Sequence, residues 1–261
     1  MQKKPLILVT NDDGINAPGI RALVEVAREI GEVVISAPDS PQSGQGHAIT
    51  LKDPLRLKKV RLFEGIEAYE CSGTPVDCVK LAKSIILKDR QIDLCVSGIN
   101  HGANHSLNIL YSGTMSAAME ASLEGINSIG FSLLDFSWKA DFESCKSYVK
   151  QLMEFVLEKG MPNCNLLNVN IPAIPKEEIK GFKVCRQAEA RWVEEYVEGT
   201  DPHGQKYYWL TGKFKNDDVN DDTDVYALEN NYISIVPSGH DLTKYSAIPD
   251  FKPLENTHQP I

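Results

Sequence analysis

Two carboxylates stand side by side at Asp12 and Asp13, within Thr10-Asn11-Asp12-Asp13-Gly14, and no Lys or Arg follows until Arg21. Adjacent like charges at a strand end are costly unless a cation bridges them. A hard divalent ion is the natural partner, because carboxylate, hydroxyl and amide oxygens suit Mg2+, Mn2+ or Ca2+. Ser43 and Asn100 supply the neutral oxygens, each in a loop that also follows an expected strand. The candidate metal ligands are therefore Asp12, Asp13, Ser43 and Asn100. Helix capping accounts for one aspartate but poorly for two in a row before Gly14. Ser112-Gly113-Thr114 opens an expected helix and offers hydroxyls and backbone N–H groups, which suits a phosphate; an ordinary Ser/Thr cap is an equal reading. A divalent ion beside an anion-binding helix start is the arrangement that phosphoryl hydrolysis needs, one activating water and the other holding charge. The residues point to phosphomonoester hydrolysis.

Competing motifs fail on inspection. Gly44-Gln45-Gly46 would need Gly at position 49 for a dinucleotide fingerprint, where Ile49 stands, and no phosphate-loop GxxxxGK[ST] occurs. The nucleophile elbow Gly-x-Ser-x-Gly is absent. His101 and His105 have the spacing of a zinc pair but lie in a glycine-containing loop. Asp218, Asn220, Asp222, Asp224 and Glu229 fit an EF-hand spacing, yet Thr223 occupies the turn position that wants Gly. A solvated acidic hairpin is the better reading of that stretch.

The elements that must position these residues follow from alternating apolar and amphipathic runs. Strands are expected over 5–10, 32–37, 92–97, 128–132 and 166–171, with extended segments over 50–59 and 65–71. Helices are expected over 18–30, 74–87, 113–123 and 141–158, with Pro18 and Pro75 at helix starts. Alternation of this kind implies an α/β fold, a doubly wound, mostly parallel sheet flanked by helices. Ligands then bind beyond the carboxyl ends of the strands, where all four loops lie. After Pro162 the helical periodicity stops. Residues 207–211 and 232–236 read as strands and 213–224 as polar. A catalytic core over 1–174 is expected, with 175–261 as an extended hairpin arm that has little core of its own and packs on, or swaps with, another subunit.

The chain has 261 residues and a formal net charge of −9. Residues 1–130 carry −2 of it and residues 131–261 carry −7. Neither half has the basic footprint of a nucleic-acid polymer binder. No apolar run spans a bilayer, and the start of the chain lacks a signal-peptide core, so a cytoplasmic location without membrane contact is expected. The six cysteines show no CxxC pair and read as buried, reduced thiols.

Seven stretches closely resemble the SurE (survival protein E) family of metal-dependent 5'-nucleotidases. They are residues 7–20 (ILVTNDDGINAPGI), 37–44 (APDSPQSG), 73–81 (GTPVDCVKL), 93–104 (DLCVSGINHGAN), 111–118 (YSGTMSAA), 167–172 (LNVNIP) and 222–237 (DTDVYALENNYISIVP). The resemblance implies a Rossmann-like core with a swapped C-terminal arm in a homodimer or homotetramer. It implies hydrolysis of nucleoside 5'-monophosphates to nucleoside and phosphate with one divalent ion per subunit, Mg2+ or Mn2+, with Ca2+ able to occupy the site. It carries the metal ligands onto Asp12, Asp13, Ser43 and Asn100, and the phosphate contacts onto Asn11, Asn104, Ser112, Gly113 and Thr114. A broad phosphatase or exopolyphosphatase, and a nucleotide sensor without hydrolysis, stay open as alternatives. The leaving-group acid is unassigned, with His101 a candidate. Ser106 stands where the family usually has Gly, which puts substrate preference in question; Asn231 replaces a second Gly, and Asn tolerates positive φ.

Overall fold

A computed structural model describes residues 4–256. In chain order the elements are β1 (Leu6–Thr10), α1 (Pro18–Ile30), β2 (Glu32–Pro38), β3 (Leu57–Val60), β4 (Glu67–Cys71) and α2 (Pro75–Leu81), which a π-helical turn, Ala82–Ile86, extends. Next come β5 (Leu94–His101), the 3-10 turn Ser106–Tyr111, α3 (Gly113–Leu123), β6 (Ser128–Leu133), α4 (Glu143–Lys159) and β7 (Leu166–Ile171). The last part holds β8 (Phe182–Val184), β9 (Ala190–Thr200), β10 (Lys206–Asn216), α5 (Asp224–Glu229), β11 (Ile233–Ser238) and α6 (Ile248–Phe251).

Nine strands form one sheet in the order β3-β4-β2-β1-β5-β6-β7-β11-β8. All pairings are parallel except β3 with β4 and β11 with β7. The fold is thus α/β with a mostly parallel sheet flanked by helices. Chain order reverses between β1 and β5, which creates the crevice where open α/β sheets bind ligands. β1 is buried along its whole length, and each such Leu, Ile or Val contributes roughly 1.5–3 kcal/mol. α1 begins with Pro18 at its first turn and buries Ile20, Leu23, Val24 and Ala27 against the sheet. Gly19 permits that approach, since a Cβ there would lie 1.9 Å from the Ile99 carbonyl oxygen. α3 is buried nearly all round and is built from small residues, as a helix enclosed by core must be.

Two expectations change. The glycine-rich loop after residue 97 is partly strand: β5 continues to His101, with a register irregularity between Ser97 and Asn100 against β6. Within 175–261, helical structure does occur, because Thr223 caps α5 by accepting from the Tyr226 N–H. Residues 175–261 also divide in two. β8 and β11 extend the main sheet beside β7, while β9 and β10 pair only with each other in a long antiparallel hairpin.

Candidate functional site

The carboxyl ends of β1 and β5 bring the two aspartates and Asn100 together. The Thr114 hydroxyl is the junction: its oxygen contacts Asp12 Oδ1 closely and lies 3.3 Å from Asn100 Oδ1. One hydroxyl hydrogen cannot satisfy two acceptors, so an electron-rich spot faces the start of α3. Asp13 sits beside it and accepts from the His101 N–H at 3.3 Å. Burial, then the charge of Asp13, raises the Asp12 carboxyl to about 6, against the pull of the Thr114 hydroxyl. Burial also raises Asp13, opposed by the His101 N–H. A divalent ion opposite would reverse both causes. Among the described residues no cluster of three or more His, Cys, Asp or Glu could hold a metal, so a cation here would rest on two carboxylates and neutral oxygens. That donor set fits Mg2+ or Mn2+ better than zinc.

A cavity of about 630 Å³ opens on this point and is lined by Asp12, Ser43, Asn100, Asn104 and Ser112 at its polar end. The Ser43 loop is laid over it by several ties. The Gln42 N–H donates to the Asp12 carbonyl at 2.8 Å, and the Gly46 N–H to that of Tyr111 at 3.3 Å. Further along the same loop, His47 Nε2 meets the buried Glu120 of α3 at 2.9 Å, and the Thr74 hydroxyl donates to the Ala48 carbonyl at 2.7 Å. A larger groove, about 1190 Å³, runs under the hairpin and holds none of the expected ligands.

Ser112 does cap α3, its Oγ accepting from the Met115 N–H at 3.0 Å, and its hydroxyl proton stays available. Gly113 and Thr114 are the first helical positions, whose N–H groups lie ahead of the helix's own acceptors. Thr114 is taken up by Asp12 through its hydroxyl. Gly113 must be glycine for closeness, because a Cβ would stand 2.7 Å from Asp12 Cβ. Asn11 lies behind the cavity: its Nδ2 donates to the Gly14 carbonyl at 2.9 Å, and its Oδ1 is buried without a partner among the described residues.

Asn104 is held from every side. Its N–H donates to Asn170 Oδ1 at 2.8 Å and its carbonyl accepts from Asn168 Nδ2 at 2.8 Å. Asn170 Nδ2 closes the link to Asn168 Oδ1 at 2.9 Å, and Asn104 Nδ2 donates to Ser132 at 2.9 Å. One N–H of the Asn104 carboxamide remains for a ligand. The next turn hangs on Asp224, which is fully buried, not solvated as its acidic surroundings suggested. Its carboxylate accepts from the N–H groups of Ser106 at 2.7 Å, Ala188 at 3.0 Å and Val225 at 2.9 Å. Ser106 adopts φ 56° there and Asn231 φ 67°, the conformation glycine takes readily. The Ser106 hydroxyl lies 3.0 Å from Nδ1 of His105, which lines the cavity, while Ser106 itself is not among the lining residues.

His101 and His105 form no metal pair. His101 Nδ1 lies 2.8 Å from the Ser137 carbonyl, which selects the Nδ1–H tautomer and leaves Nε2 an acceptor. Glu120, Asn168 and Asn170 escaped the sequence reading, which placed the buried Asp224 in a solvated acidic hairpin. Two carboxamides on one face of an apolar core strand, Asn168 and Asn170, were the signal that could have found two of them.

A family model described as Survival protein SurE matches residues 7–194. The chain belongs to the SurE family. It is 59% identical over 251 residues to the 5'-nucleotidase SurE of Christiangramia forsetii, covering 95% of this chain and 96% of that one. It is 58% identical over 246 residues to the 5'-nucleotidase SurE of Flavobacterium psychrophilum, covering 94% and 95%. The crystal structure of the SurE protein from Aquifex aeolicus superposes with a TM-score of 0.84 at 39% identity, over 97% of this chain and all of that one. SurE membership thus extends along the strands that carry the site and most of the hairpin arm.

Proposed function

We propose that the chain is a divalent-metal-dependent 5'-nucleotidase that hydrolyses nucleoside 5'-monophosphates to nucleoside and phosphate. The observation that carries this reading is the convergence of Asp12 and Asn100 oxygens on the Thr114 hydroxyl, at the start of α3 and at the floor of a cavity, with the second carboxylate, Asp13, held by the His101 N–H. The family relationship, with relatives that bear the 5'-nucleotidase name, supports the substrate class. Asp12, Asp13, Ser43 and Asn100 would hold the ion. When bound, it supplies Lewis-acid polarisation of a phosphoryl oxygen and acidifies water.

The chain's own groups do the positioning. The Gly113 N–H and the Ser112 hydroxyl, at the positive end of α3, face the phosphoryl oxygens. The remaining Asn104 N–H reaches the same group, with Asn11 behind it. The candidate acid for the leaving 5'-oxygen is His101, a residue of the cavity lining. The hairpin carries Tyr196, Val197, Tyr208, Trp209 and Leu210 more than half exposed, which suits contact with a second copy of the chain. All six cysteines are free, which suits a reducing, cytoplasmic setting. No helix among the described residues is long and apolar enough to cross a membrane.

The test is phosphate release by the EDTA-treated chain, with Mg2+ or Mn2+ restored, over 5'- and 3'-nucleotides, sugar phosphates and short polyphosphates. Metal-dependent release with the highest kcat/KM on 5'-nucleotides is the expected result. Release that ignores EDTA, or a higher kcat/KM on polyphosphate, overturns the reading.

A further inference from the structure

The cavity has a second end that phosphate chemistry leaves unexplained. Besides the polar residues it is lined by Tyr111, Phe136, Trp192 and Phe214, with Asn108 and no Lys or Arg; Tyr111, Asn108 and Trp192 also border the larger groove, so the two spaces share this wall. Trp192 and Phe214 are direct cross-strand partners at the root of the β9–β10 hairpin. Their rings meet edge-on, centroids 6.3 Å apart and planes at 67°. Phe214 in turn abuts His105 at 5.0 Å, also edge-on, so it is braced against the turn that Asp224 holds. Trp192 keeps 45% of its surface open. An indole buttressed on one side and open on the other, in the same cavity as the acidic floor, is built to receive a flat aromatic group. A polyphosphate tail would find no cation here, whereas a nucleobase would find stacking faces and a carboxamide for its edge. The volume lies within the range of small-molecule sites.

We infer that the hairpin root is the nucleobase subsite: Trp192 stacks on the base of the substrate, Phe214 fixes the indole, and these residues set the preference for nucleotides over phosphoesters without a base. The inference rests on the nucleotidase reading above and adds the residues that confer its selectivity. It also gives the C-terminal hairpin a part in each subunit's own site, beside any contact between subunits.

The experiment compares AMP with ribose 5-phosphate, which presents a similar phosphoester without the base, on the full chain with Mn2+. The readout is the ratio of their kcat/KM values. Trp192→Ala should lower this ratio about tenfold, the range expected for loss of one base–aromatic stack, chiefly by raising KM for AMP. Trp192→Phe should restore most of the ratio, and Trp209→Ala, on the exposed outer hairpin, should leave it as it was. If Trp192→Ala folds poorly, Phe214→Leu supplies the second test, with a smaller fall in the same ratio. An unchanged ratio in Trp192→Ala, or an equal fall in Trp209→Ala, overturns the subsite. Release from neither substrate by the unmodified chain overturns the nucleotidase reading itself, which separates the two failures.

Discussion

The strand-end cavity and the β9–β10 hairpin put similar side-chain types to opposite use. Around the cavity, polar groups are buried and tied over long sequence distances: Asn104 to Asn168 and Asn170, Ser106 to Asp224. Along the hairpin, aromatic groups are exposed, and its ion pairs, Lys206 with Glu198 at 2.7 Å and Lys215 with Asp217 at 2.9 Å, lie at the surface and are local in sequence. Buried polar networks are expensive to break because each orphaned group loses its water as well as its partner. Surface pairs and lone exposed rings cost little to lose. The cavity is therefore rigid by construction, and the hairpin keeps its own strand pairing while leaving its outer face free to meet something else.

The comparison is broken most severely at the carboxylates. Asp12→Asn should reduce phosphate release at least about 10²–10³-fold, the scale of removing one electrostatic anchor of a reacting group. Its fold should survive, since the substitution removes a buried like-charge repulsion with Asp13. Unaltered turnover in an EDTA-rinsed sample with Mg2+ restored would remove Asp12 from the site. Next in size, Asp224→Ala strands three buried N–H groups and should cost about 3 kcal/mol or more of folding stability. Leu210→Ser on the hairpin should stay within about 0.5 kcal/mol. Urea denaturation of both variants decides it: equal losses would mean that the two regions are held in the same way.

The same contrast explains what the sequence revealed. α1 and α3 were readable to the residue, because Pro18 and the Ser112 cap mark their starts locally. β5 was cut short because Gly98, Asn100 and His101 read as loop; neighbouring strands, not local propensity, keep them extended. Asp12, Asp13, Ser43 and Asn100 stood out by residue type and by position after strands. Asp224 was misread as solvated, since nothing local tells a buried carboxylate from an exposed one. Its partner Ser106 lies 118 residues away. Trp192 and Phe214 gave no signal either, because they look like the other aromatics of the hairpin until the fold turns this one pair toward the cavity.

The smallest predicted effect falls where the two regions touch. His105 is packed between the Ser106 hydroxyl and the Phe214 ring, and burial holds its imidazole below the ordinary histidine value, against the opposing pull of Asp224. The unfolded chain takes up this proton near 6.5, the folded chain only at lower pH. Between the two values the unfolded state binds more protons, so stability is full above about pH 6.5 and is lost as pH falls toward the folded value. His105→Asn removes that contribution. The urea midpoint should therefore drop less between about pH 7.5 and 5.5 in His105→Asn than in the unmodified chain. Phe214→Ala, which opens the ring to water, should give an intermediate slope. Identical slopes in all three would mean that the hairpin root does not shield His105, and the rigid cavity would end at the Asp224 turn without reaching the hairpin.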